Sequence, residues 1–556
     1  MRIRSTVAKI AIPAVAVGLI VTGCSGTNGS GGSAVVGTTN DINPQDPASL
    51  QDGGNLRMDL SSFPATFNYL HVDGADADLA KVIDPVMPQA FTSDASGQMS
   101  VNHDFFTDVA MTNTNPQTVT YTINPKAVWS DGTPITWEDL QSEAAALSGR
   151  NKDFQVSSQS GFDRVEKVER GADDRQAIVT FAKPYSEWQG QFSPLYPKAV
   201  TADPQAFNDL DRNDLKVSAG PFVIQNLDRT QNRITLARNP KWWGATPRLA
   251  NITFSVLDAS ALLPAIQNNE IDYAYMSGLA NVTGARNTPG VLVRRTAEPS
   301  WNVLTFNGAP GSLLEDAKVR VAITKAIDRQ TIVNQSQHGV VDHPTFLNNH
   351  VFVAGQKGYQ DNAAPSTVFN PTEAAAELDA AGWKLNGDVR EKDGRKLELR
   401  DVMYQQDQWV DTAKIIQQNL AAVGVKLDIQ TVPGTGLWTE WVNPGNFDIV
   451  QHGWSGSTLP LASLPQIYYY DPNNWQGNHG HIGSPELNAA IDAALSELDP
   501  DKAIELGNKA DKMIWEEGFS LPLNQASGNY AVRASLANIG AFGMAGVDWT
   551  KVGFVK

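Results

Sequence analysis

A single cysteine, Cys24, stands in a chain of 556 residues, so no internal disulfide, cysteine-rich zinc site or CxxC redox pair can be assembled from this chain. The fold must be held by hydrophobic cores, and the length exceeds what one ordinary core supports. Two or three domains are therefore expected. With 41% hydrophobic and 19% charged residues, the composition is globular. The acidic balance, 60 Asp and Glu against 43 Lys and Arg for a net charge of -17, argues against a nucleic-acid partner, because neutralising phosphates needs clustered cations.

The place of the cysteine is informative. Arg2, Arg4 and Lys9 precede an apolar run over residues 10–21, and Val21-Thr22-Gly23-Cys24 then resembles the lipobox of bacterial lipoprotein precursors. Residues 1–23 are expected to be a signal peptide, with Cys24 the lipid-attachment residue and the first of the mature chain. The apolar run is short and holds Pro13, whereas a bilayer-spanning helix needs about 20 apolar residues. The anchor is expected to be acyl chains, which contribute about 0.8 kcal/mol per buried methylene. Residues 24–53 open on Ser25-Gly26-Thr27-Asn28-Gly29-Ser30 and read as a flexible tether with a reach of roughly 30 Å.

Beyond the tether, residues 54–60 alternate as a first strand. Residues 119–123 alternate again and run into Trp129-Ser130-Asp131-Gly132-Thr133-Pro134, a turn that delivers Thr136 as the N-cap of a helix with Glu138 and Asp139 in its first turn. Ile252, Phe254 and Val256 mark another strand, residues 259–268 a helix and residues 271–276 a short strand. Val319, Ala322, Ile323, Ala326 and Ile327 form one apolar helix face behind Glu315 and Asp316, whose charges suit a helix N-terminus. Residues 413–423 continue as a helix that Gly424 is placed to end, and Val425, Leu427 and Ile429 alternate as a strand. The punctuation is α/β, without short repeats or heptads, and leaves two lobes.

Several of these segments, in order, resemble the extracellular solute-binding proteins of family 5, the oligopeptide- and dipeptide-binding receptors of ABC importers. They are Tyr121-Thr122-Ile123 with the Trp129–Pro134 turn, Ser218-Ala219-Gly220-Pro221-Phe222, Arg238-Asn239-Pro240-Lys241-Trp242-Trp243-Gly244, Ile266 to Asp272, Ala326-Ile327-Asp328-Arg329, Ala380-Ala381-Gly382-Trp383 and Leu521-Pro522-Leu523. The resemblance implies a two-lobed periplasmic-binding-protein-like α/β fold of the large peptide-binding type, hinged by two crossing strands near Trp301 and Phe519. Lobe I would span residues 54–300 with an extra subdomain at about 75–200, lobe II residues 301–518, and residues 519–556 would return to lobe I. It further implies an extracytoplasmic, lipid-anchored monomer that closes on a small-molecule or peptide ligand and hands it to membrane permease and ATPase subunits.

The same resemblance places a ligand cleft at Trp454 and the following Ser455, Gly456 and Ser457, with Gln451, Trp438, Trp301, Asn302 and Gly74 as further lining residues. An indole offers contact area and one N–H donor. Where peptide receptors of this family carry an aspartate for the ligand ammonium, this chain has Ser457, and Gln451 stands where an arginine is frequent. Leaving a buried ammonium unpaired costs several kcal/mol, so the departures open an alternative: a non-transport lipoprotein of the same fold that binds a glycolipid or glycan and regulates envelope synthesis.

Catalysis finds little support. Gly453-Trp454-Ser455-Gly456-Ser457 has serine where a nucleophile elbow needs its second glycine, and there is no Walker A run, HExxH or dinucleotide fingerprint. A glycan hydrolase using unrecognised carboxylates ranks third among the functional classes. His338, His343 and His350 with Asp342 do not align on one helix face, and His479 and His481 lie in a Gly- and Asn-rich stretch. All five read as loop histidines exposed to solvent, and neither metal nor cofactor is expected.

Overall fold

The computed structural model describes residues 40–556 apart from residues 160, 342–343, 364–366, 434–435 and 476. Cys24, the signal peptide and most of the tether lie outside the described residues, as do Asp342 and His343.

A ten-stranded sheet runs through the molecule. Its lobe I half contains Phe222–Asp228, Arg233–Arg238, Asn251–Val256, Asn55–Leu60 and Tyr273–Tyr275, and its lobe II half Glu398–Tyr404, Lys426–Val432 and Ile449–Trp454. Between the halves lie two long antiparallel strands, Val291–Phe306 and Ser520–Arg533, which belong to both. Each half has parallel pairing, Asn55–Leu60 with Asn251–Val256 and Glu398–Tyr404 with Lys426–Val432 and Ile449–Trp454. In such sheets ligands lie outside the carboxyl ends of the strands, and Trp454 is the last residue of its strand.

The crossing is visible as a break in register. Ala297 pairs with Ser527 and Trp301 with Gln525, with Glu298, Pro299 and Ser300 bulged between them. The second strand therefore enters lobe I later than Phe519, because residues 520–525 still pair with the lobe II half of its partner.

Local chemistry explains the elements. Alternating Leu56, Met58 and Leu60 are buried on one face of the first strand. In the Trp129 turn, Gly132 takes φ 96°, a left-handed value that suits glycine, and Asp131 accepts from the Thr133 amide at 2.8 Å and its hydroxyl at 2.7 Å. Thr136 and Asp139 form a capping box on the helix Trp137–Leu147. That helix packs on a separate four-stranded antiparallel sheet of Phe106–Thr114, Gln117–Ile123, Gln176–Phe181 and Val165–Arg170. Helix Ala317–Ala326 buries Val319, Ala322, Ile323 and Ala326 behind an Asp316 cap.

The tether expected over residues 24–53 is not free to its end. The Asp41 amide donates to the Ala541 carbonyl at 2.8 Å, its carboxylate receives Arg294 Nη1 at 2.6 Å, and Leu50 is buried in a bridge to Val555. Composition made this stretch look unfoldable. It is held instead by hydrogen bonds to the far end of the chain, which local composition does not reveal.

Candidate ligand-binding site

Trp454 and Trp301 face each other on neighbouring strands at the carboxyl edge of lobe II. Trp301 is buried with Val303, Leu347, Val353 and Met544, against which Trp454 packs. Its buried indole Nε1 has no hydrogen-bond partner among the described residues. On the other side of Trp454 an aromatic platform forms. His479 stacks on it at 5.9 Å with 8° between the planes, His452 meets it edge-on at 5.1 Å, and Trp438 reaches both histidines, at 4.8 and 5.3 Å.

The platform is uncharged near neutral pH. Burial, aided by neighbouring His479, pushes the His452 imidazole down to about 3, and its Nε2 lies 2.8 Å from Thr305 Oγ1. Burial, with His481 beside it, pushes His479 down to about 4. Loss of solvent outweighs everything else because protonated imidazole has no carboxylate nearby to compensate it.

Residues 455–457 continue past the strand into the seam. Ser455 and Ser457 are exposed, while Gly456 lies so close to the first crossing strand that a Cβ would come within 1.9 Å of the Pro299 carbonyl oxygen. The Ser457 hydroxyl donates to the Leu459 carbonyl and accepts from its amide, both at 3.1 Å. Its own carbonyl receives Gln356 Nε2 at 2.9 Å. Immediately beyond is a cavity of about 540 Å³ walled by both lobes: Gly97, Met99, Glu187 and Met544 from lobe I, Gln356 and Thr458 from lobe II. Its volume falls in the range of small-ligand sites.

Outside this cavity the lobes are fastened directly. Arg164 of lobe I, nearly buried, donates to Asp492 Oδ1 at 2.9 Å and to Ser496 Oγ at 3.0 Å on the lobe II helix Pro485–Ser496. Ser186 N–H donates to the Leu495 carbonyl at 2.8 Å.

None of the residues expected to line the cleft is on the wall of this cavity, and three of them also lie apart from the Trp454 platform. Gln451 points to the opposite face of its strand from His452 and Trp454, as the period-two pleat requires. It is fully buried and donates to Asp401 Oδ2 at 2.6 Å. Asn302 likewise faces away from Trp301 and lines a second, smaller cavity of about 130 Å³ between the two halves, with Tyr275, Gln408 and Asn524. Gly74 closes a turn inside lobe I, where a Cβ would meet the Asn68 carbonyl oxygen at 2.0 Å.

Two histidine expectations are also corrected. His350 is buried and shares Asp511 through both its amide and Nδ1, at 2.8 and 2.9 Å. His479 and His481 are half-buried, stacked on Trp454 and Trp475. Polar neighbours in the sequence concealed packing against indoles that arrive from other segments. His338 is exposed as expected. Sequence reasoning missed Glu187, Arg164, Met544 and His479, none of which sits in a motif that announces a binding role.

Residues 103–476 match the family model described as bacterial extracellular solute-binding proteins, family 5 middle. The oligopeptide-binding protein OppA of Mycobacterium tuberculosis is 51% identical over 550 residues, which cover 97% of this chain and 92% of that protein. Among solved structures, a periplasmic EDTA-binding protein, EppA, superposes with a TM-score of 0.86 at 23% identity, covering 94% of this chain and 100% of its own. The oligopeptide-binding protein AppA of Bacillus subtilis, in complex with a nonapeptide, superposes with a TM-score of 0.77 at 21% identity, covering 91% and 100%.

Proposed function

The chain belongs to the bacterial extracellular solute-binding proteins of family 5, and from that premise we infer that it captures oligopeptides in the seam beside Trp454 and delivers them to the permease of an ABC importer. The observation that carries the peptide reading is the cavity of about 540 Å³ shared by two lobes that two crossing strands join, taken with the name of the 51% identical relative. Met99, Phe352, Leu461 and Met544 offer apolar walls, and the exposed Ser455 beside Trp454 offers backbone hydrogen bonds to an extended peptide. Peptide contacts made to both lobes at once would favour the closed form, which is how binding biases a hinge.

In this reading the protein performs no chemistry on its ligand and works as an extracytoplasmic monomer held to the membrane by a lipid on Cys24. The lipobox-like Val21-Thr22-Gly23-Cys24 supports the anchor, and no helix among the described residues is long and apolar enough to cross a membrane. A Cys24→Ser chain should appear in the culture medium, and retention at the membrane would remove the anchor from the proposal. Peptide capture is tested by titration calorimetry of the purified protein against oligopeptides of graded length. Micromolar or tighter binding is expected, and a folded protein that binds none of them would overturn it.

A further inference from the structure

A short stretch of lobe I around the 3-10 turn Trp188–Gly190 presents buried polar groups without hydrogen-bond partners among the described residues. Glu187 is 8% exposed and Gln191 1%, yet Ser186 Oγ, Glu187 Oε2 and both amide atoms of Gln191 have no hydrogen-bond partner among the described residues. Native proteins leave few such groups, because each forfeits its hydration without compensation. Ser186 and Glu187 line the seam cavity, across from Thr458 and Leu459, the residues that follow Ser457.

The charges around that cavity are one-sided. Lys357, the other titratable side chain on its wall, is mostly exposed and paired outward with Asp501 at 2.6 Å. That leaves the Glu187 carboxyl without a cationic partner among the described residues, with the Leu461 amide of the opposite lobe as its hydrogen-bond donor. We propose that Glu187 receives a peptide ammonium in this cavity, supplying from lobe I the negative charge that Ser457 does not. The assignment rests on the peptide reading above and adds to it a preference for a cationic nitrogen.

A proton accompanies this binding step. Burial pushes the empty site's Glu187 up to about 8, so near neutral pH the carboxyl is largely protonated until a cation arrives. Pairing with an ammonium then releases that proton to solvent and leaves an ion pair hydrogen-bonded inside the seam. Below the empty site's value, affinity for the cationic ligand rises with pH.

The test uses the mature chain, calorimetry at pH 7 in two buffers of different ionisation enthalpy, and three probes: an alanine pentapeptide, its N-acetylated form, and an N-acetylated form with one lysine. Wild type should bind the free pentapeptide at least about tenfold more tightly than the acetylated one and release close to one proton. Glu187→Gln should lose both the preference and the proton, while Glu187→Asp keeps part of each. Tight binding of the acetylated lysine peptide assigns the site to a side-chain ammonium, and weak binding assigns it to the α-amino group. Equal affinities for all three probes in wild type and Glu187→Gln, with matching melting curves, would overturn the assignment and leave peptide capture standing. No binding of any probe or other peptide by the folded wild type would overturn peptide capture itself.

Discussion

Replacing Asp492 by Asn should loosen the contact between the lobes, and the amide oxygen can still accept the Tyr469 hydroxyl that Asp492 holds within lobe II. In the structure Arg164 Nη2 and Asp492 Oδ1 are 2.9 Å apart, with the arginine side chain 8% exposed and the aspartate 57%. A hydrogen bond to a charged group contributes about 1.5–3 kcal/mol, and an exposed ion pair about 0–1 kcal/mol. One buried partner and one wet partner place this contact between them, at about 1–2 kcal/mol. Arg164 keeps its bonds to the Pro184 carbonyl and, across the seam, to Ser496 Oγ, so the substitution removes the ionic part of the attraction without stranding the guanidinium. The closure constant should fall about tenfold, since 1.4 kcal/mol is a factor of ten. Small-angle scattering of the unliganded protein should report a larger radius of gyration, and calorimetry a weaker peptide affinity, because apparent affinity scales with the closed fraction. An unchanged radius together with an unchanged affinity would show that this contact does not hold the lobes together.

Two further outcomes follow from buried groups near the hinge. Burial raises Asp401 to about 8 against the partial opposition of Gln451, so the folded protein holds a proton that the unfolded chain gives up above about pH 4. Its contribution is thus fully present below that unfolded value and is lost as pH rises towards 8, by up to about 1.4 kcal/mol per unit. Asp401→Asn should flatten this decline, so that its urea-unfolding free energy gains on wild type from pH 5 to 8; a pH-independent difference would refute the shift. Gly456→Ala should lower stability by about 1–3 kcal/mol, because the Pro299 carbonyl cannot retreat without moving a crossing strand. Gly453→Ala, whose Cβ would find its nearest atoms at 3.5 Å, serves as the tolerant control, and equal melts for the two would sink the steric reading.

The parts of the fold that were legible in the sequence are those in which local chemistry agrees with tertiary need. The Trp129 turn, the Thr136 cap and the apolar face from Val319 to Ala326 are each written within a dozen residues or so, and each appears where its spacing places it. Trp454 was found through a motif, and the strand it ends does reach the seam. The family resemblance assigns Gln451 to the same site, although an odd separation along a strand puts a residue on the other face. The alternative of a glycan-binding site leaned partly on Gln451, and that support is gone because its amide is spent on Asp401. Glu187 was invisible for a different reason: what distinguishes it is a buried Oε2 without a hydrogen-bond partner among the described residues, and only assembled neighbours define that.

The pairing of Asp41 and Leu50 with Ala541 and Val555 fastens both ends of the described chain to one half of the molecule. Any pull exerted along the N-terminal segment is borne by lobe I alone. Lobe II, which among the described residues meets that half through the two long strands and the contacts along the seam, carries neither of those end fastenings.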